Sequence, residues 1–235
     1  MDNSQVKLII NELEKHGSTD AVEGMARYGI VAKKAFGVSA PALHSTAKRI
    51  GKNHDLASQL WLTGIYDARI LAALIDNPID VTDKQMNVWV KDFDNWAICD
   101  GVCLHLFRKT PFAWTKAKQW TKRKDEFVKR AGFTLFATLA VHDKQADNKK
   151  FIQLLPIIKR ASTDERNGVK KAVNWALRQI GKRNLVLNKS AIQTASEIKK
   201  IDSPAARWIA SDVLRELTSE MVKNRLKKFR GNRKF

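Results

Sequence analysis

Cysteine is almost absent from this 235-residue chain, which carries only Cys99 and Cys103. Two cysteines four residues apart on a helix build neither a disulfide framework nor a zinc knuckle. Both are read as small buried side chains of a reducing compartment. Glycine (11) and proline (5) are too few for an all-β fold with many turns. No run approaches the roughly eighteen apolar residues of a membrane-spanning helix. Met1-Asp2-Asn3-Ser4 lacks the basic and apolar regions of a signal peptide. The expected setting is therefore a bacterial-type cytosol or nucleoid, with no membrane partner. A glycine-rich phosphate loop, GxSxG and HExxH are also missing. His16, His44, His54, His105 and His142 are dispersed and read as ordinary surface or interhelical residues. No metal and no cofactor are expected.

Acidic residues are the other shortage. Lys and Arg total 43 against 24 Asp and Glu, a net charge of +19, and 44% of the residues are hydrophobic, so the chain is globular and the excess points to a polyanionic partner. Residues 1–80 hold 9 basic and 9 acidic residues, so the whole excess lies in residues 81–235. Seven cations and no acid fall between Lys223 and Phe235; the remaining +12 is interleaved with apolar positions over 81–222. Spread charge of this kind reads as a basic face, and the terminal run as a basic tail.

What is present is helical periodicity. Leu8, Ile9 and Leu13, then Ala21, Met25 and Tyr28, recur at spacings of three and four. Val169, Ala172, Val173, Ala176, Leu177 and Ile180 continue the pattern, as do Ile192, Ala195 and Ile198. Thr110-Pro111 and Ser203-Pro204 place a capping hydroxyl before a first-turn proline, and Ser39-Ala40-Pro41 is similar. Asp147, Thr163 and Asn188 are weaker caps, while Gly37, Gly51 and Gly64 mark ends. The result is roughly twelve to fourteen helices, too many for one four-helix bundle. Apolar helix pairs recur about every 35–45 residues without a strict consensus. The expected fold is all-α, a HEAT-like or armadillo-type α-solenoid of antiparallel helix pairs with a concave basic face. Residues 1–222 would form one repeat domain and residues 223–235 a basic C-terminal tail. A monomer is expected, leaving the concave face open.

Seven tryptophans occur, and two sit in unusual settings. In Asn95-Trp96-Ala97-Ile98-Cys99-Asp100, Trp96 and Asp100 are one turn apart on one helical face. In Lys170-Lys171-Ala172-Val173-Asn174-Trp175-Ala176-Leu177-Arg178, an aromatic lies among cations and a full apolar stripe. A carboxylate near a sugar stabilises an oxocarbenium-like centre and holds a water, and aromatic faces contact a cationic base. Basic residues would grip the phosphates. The alternative is that Asp100 caps or pairs locally and Trp96 is core.

The sequence resembles the AlkD-type alkylpurine DNA glycosylases, the DNA alkylation repair family built from HEAT-like repeats. The resemblance spans nearly the whole chain. It rests on Met25-Ala26-Arg27-Tyr28 with Phe36-Gly37-Val38-Ser39-Ala40-Pro41, on Trp96…Asp100, on Phe127-Val128-Lys129-Arg130-Ala131, on Lys171 to Arg178, and on the helix from Ser203-Pro204. It implies that Asp100 is the catalytic carboxylate. Trp96 and Trp175 would flank the lesion nucleotide, and Arg130 would engage phosphate or sugar near Asp100. Tyr28 and Ser39 would face the same DNA cleft, Ser39 through a helix N-terminus, with Arg178, Lys182 and Arg207 as further phosphate contacts. The implied activity is metal-independent release of cationic 3-methyladenine- or 7-methylguanine-type bases from duplex DNA.

The chain departs from the pattern at Ala97, at Ala40 and in its basic tail. Two rival readings stay open at this point: a noncatalytic binder of damaged or branched DNA on the same fold, and a HEAT-type adaptor for an acidic protein.

Overall fold

The computed structural model describes residues 3–32 and 34–231. They carry fifteen α-helices and no strand. These are α1 (Asn3–Lys15), α2 (Thr19–Arg27), α3 (Ala40–Ile50), α4 (His54–Leu62), α5 (Tyr66–Ile75), α6 (Asp83–Trp89), α7 (Trp96–His105) and α8 (Ala113–Trp120). There follow α9 (Glu126–His142), α10 (Asn148–Ile152), α11 (Leu155–Ala161), α12 (Asn167–Gly181), α13 (Leu185–Lys199), α14 (Pro204–Leu217) and α15 (Glu220–Gly231). None of these helices is long and apolar enough to cross a membrane. The chain divides into two compact units, residues 1–113 and 114–235.

In the first unit, polar caps start the helices: Ser18, Ser39, Asn53, Thr82 and Asn95 each accept a backbone N–H of the first turn. The buried Asp67, at the start of α5, accepts from Phe36 N at 2.6 Å and Val38 N at 2.8 Å, just ahead of α3. Beyond the other end of α3, Lys52 Nζ donates to Leu74 O and Asp76 O, both at 2.8 Å, at the end of α5. Helices α3 and α5 therefore lie side by side and run the same way. Gly37 turns the chain between α2 and α3 at φ +77°, and a Cβ there would collide with Ser18 O. Trp61 and Trp89 stack at 4.0 Å in the core, with Phe93 and Phe107 against them. Burying side chains of this size contributes on the order of 2–3 kcal/mol each.

The second unit shows a repeat that the residues themselves hide. Arg130 Nη1 donates to Gly168 O, Lys159 Nζ to Glu197, Asn174 Nδ2 to Asp212 and Arg178 Nη1 to Glu216, and Ser203 Oγ to Glu165; every pair is 38 residues apart. These bonds tie start to start, middle to middle and end to end, so α9, α12 and α14 run side by side in one direction. Helix α13 carries the chain from the end of α12 to the start of α14 and must run the opposite way. The step of 38 lies within the expected range. It escapes a consensus search because each pair is complementary rather than alike.

Several sequence expectations shift. Ser203-Pro204, Ser39 and Asp147 act as caps, but Thr110 does not. Its hydroxyl donates back to Phe107 O at 2.9 Å, closing a 3-10 turn, and α8 begins only at Ala113. Thr163 is not the cap of α12, which starts after Arg166. Asn188 lies buried inside α13, where its amide links Gly181 O and Leu217 O; Asn184 is the cap. The basic run from Lys223 enters α15, whose Val222 and Leu226 are buried, and residues 232–235 lie outside the described part.

Candidate functional site

Helix α7 is set by a strong N-terminal cap. Asn95 is buried, and its Oδ1 accepts from Ala97 N and Ile98 N, each at 3.0 Å. Ile98, Cys99, Val102 and Cys103 form the buried side of the helix, and the two cysteines form no disulfide. Trp96 and Asp100 share the remaining face. Trp96 is 39% exposed, and its indole N–H donates to Tyr28 O at 2.9 Å. Tyr28 closes α2 and is itself 76% exposed, so two aromatic side chains stand at the surface with Asp100, half-buried, one helical turn beyond Trp96. Ser39, exposed, caps α3 by accepting from Ala42 N at 3.4 Å.

The other expected site residues belong to the second unit. Arg130 is only 6% exposed and donates to Gly168 O at 2.6 Å, fixing the first turn of α12. Gly168 N in turn donates to Glu126 Oε1 at 3.1 Å. Trp175 is half-buried in the middle of α12, beside the buried Asn174 that donates to Asp212. Arg178 Nη1 and Lys182 Nζ both reach Glu216 at 2.6 Å, and Arg178 also lies 3.7 Å from Asp212. Burial raises the Glu216 pKa, but the bonds from Lys182 and Arg178 and their charges outweigh it, and the net direction is down. These two cations are thus partly neutralised within the protein. Arg207 pairs with the fully exposed Asp202 at 2.8 Å, a contact in open water.

The structure therefore brings Trp96 to Tyr28, with Asp100 one helical turn beyond Trp96, and joins Arg178 and Lys182 through Glu216. It also joins residues that sequence reading kept apart. His44 and His105, read as dispersed, meet with ring centroids 5.4 Å apart. Lys170 Nζ lies 5.3 Å from the centroid of the 44%-exposed Trp208. The run His105-x-x-Arg108-Lys109 was a visible signal of local charge. The partner His44, 61 residues earlier, was not.

A family model described as DNA alkylation repair enzyme matches residues 9–224. The chain belongs to the DNA alkylation repair enzyme family. A solved structure, described as a new family of proteins related to the HEAT-like repeat DNA glycosylases with affinity for branched DNA structures, is similar in fold. It has a TM-score of 0.78 and 23% identity, with 96% of each chain covered. No curated protein matches. This DNA alkylation repair family member therefore has the all-α, HEAT-like repeat fold that its periodicity and motifs suggested.

Proposed function

We propose that this family member is a monofunctional DNA glycosylase that releases cationic N3- or N7-alkylpurines from duplex DNA. The observation that carries the reading is the surface of α7: a carboxylate one turn from a tryptophan whose ring is fixed by its N–H yet left accessible. A ring-alkylated purine is positively charged. When the C1′–N bond breaks, the electron pair neutralises the base, which leaves, and positive charge moves to the sugar. Asp100 stabilises that charge and orients a water; the water oxygen bonds to C1′ and its proton passes to the carboxylate or to solvent. Trp96 lies against the sugar and backbone, with Tyr28 beside it. On the second unit Arg130 and Trp175 would contact nucleotide sugar or backbone, and Ser39, Arg178, Lys182 and Arg207 would take phosphates. The basic excess makes duplex DNA the natural polyanion, bound by a monomer in a cytosol or nucleoid.

The second reading is a noncatalytic binder of branched or damaged DNA, favoured by the description of the structural relative. One assay separates them. Alkylated duplex DNA incubated with the protein should yield free 3-methyladenine or 7-methylguanine. No release, together with tighter binding to junctions than to linear duplex, would reverse the assignment.

A further inference from the structure

At the end of α7 remote from Trp96, the first unit gathers positive charge with little to balance it. His44 on α3 and His105 in the last turn of α7 meet edge to face, at 5.4 Å and 69°. Lys109, Arg108 and Lys52 are near enough for their charges to act on His105. Burial, then the charges of His44, Lys109, Arg108 and Lys52, push His105 down to about 4. Lys109 is lowered by burial and then by Arg108 and Lys52. The charges that act most strongly on both groups are positive. Asp76 faces Lys52, but its oxygens are held by His54 Nδ1 and Gln85 Nε2, each at 2.7 Å. Lys52 is anchored on the Leu74 and Asp76 carbonyls, and Arg108 by its Nε on Leu104 O at 2.6 Å. Capping the end of α5 accounts for Lys52. It does not account for Arg108, Lys109 and two imidazoles gathered beside it. Partly desolvated like charges repel, and a bound anion would remove that cost.

We propose that Lys52, Arg108 and Lys109, with His44 and His105, form a phosphate site occupied by a backbone phosphodiester of nucleic acid. The inference rests on the nucleic-acid part of the reading above and not on base release. His105 lies five residues beyond Asp100 and about 140° around the helix axis, so this is a face separate from the candidate catalytic one. A phosphate favours imidazolium. Affinity therefore rises as pH falls through the histidine pKa of the complex, until the free protein also protonates.

The test is the salt dependence of binding to unmodified duplex, measured on the full chain, on Lys109→Gln and on Arg108→Gln/Lys109→Gln. Each neutralised phosphate contributes about 0.9 to the slope of log K against log salt. The expected slope is shallower by up to about 0.9 for the double variant, the worth of the one phosphate the site holds, and by less for the single. Unchanged slopes with native circular dichroism overturn the proposal. Should the double variant fail to fold, the wild-type chain answers directly, through the His105 C2 proton followed by NMR. Added duplex should raise its titration midpoint, and an unmoved resonance overturns the proposal. A response to inorganic phosphate with none to duplex assigns the site to a free anion and overturns the nucleic-acid occupant. Unmodified duplex offers no base to release, so failure here and failure of the glycosylase reading are distinct results.

Discussion

The indole N–H of Trp96 donates to the backbone carbonyl of Tyr28 at 2.9 Å, across 68 positions of sequence. The bond uses the polar edge of the ring and leaves its face accessible. Replacing Trp96 with Phe keeps a ring and deletes the donor. The expected loss is about 0.5–1.5 kcal/mol of stability, read as a fall of roughly 2–4 °C in Tm per kcal/mol. Trp96→Ala should in addition lower base release more than Trp96→Phe does. Equal activities in the two variants would remove the ring from the site.

Asp100→Asn conserves shape and removes the charge. Base release from alkylated duplex should fall on the order of 10²–10³-fold, the worth of one electrostatic group at a developing charge. Affinity for duplex should be unchanged or tighter, since a negative charge is gone. Release at the wild-type rate would mean that Asp100 is not the catalytic carboxylate.

Acid sensitivity should be traceable to Asp164. Burial raises its pKa, but hydrogen bonds from Arg166 and Lys129, with their charges, win and bring it to about 2. A carboxyl depressed in the folded state stabilises the protein above its unfolded pKa of about 4, and this is lost as pH falls toward about 2. Thermal midpoints of wild type and Asp164→Asn, followed from pH 7 to pH 2, should differ most above pH 4 and converge below it. A constant gap would place the contribution elsewhere.

The basic C-terminal run should divide into two functions. Val222 and Leu226 sit one turn apart in α15, each 2% exposed. Ending the chain after Val222 removes Leu226 from the core, and losing a buried leucine costs about 2–5 kcal/mol. Ending it after Gly231 removes Arg233 and Lys234, which lie outside the described residues. That cut should leave Tm unchanged and lower the DNA salt slope by at most about two. Loss of base release with the shorter cut would make the last residues part of the site.

Much of the fold is legible in the sequence. Ser39, Asp147 and Ser203 were visible as caps because capping is local chemistry. The buried pair Cys99 and Cys103 followed from helical spacing, and so did the shared face of Trp96 and Asp100. Thr110 misled because a hydroxyl can cap forward or close a turn behind it, and Phe107 O was the nearer partner. Arg178 and Lys182 looked like available cations, because nothing local shows that Glu216, 38 and 34 residues away, holds both.

The all-α class, the +19 charge and its placement, and the family motifs are written in the sequence, since periodicity, composition and short spacing are properties of the chain alone. The 38-residue ladder, the anchoring of Trp96 on Tyr28, the meeting of His44 with His105, and the charges of Lys52, Arg108 and Lys109 acting on His105 arise in folding. Those are contacts between complementary groups far apart in sequence. No pattern along the chain encodes which distant partner a side chain meets until the helices pack.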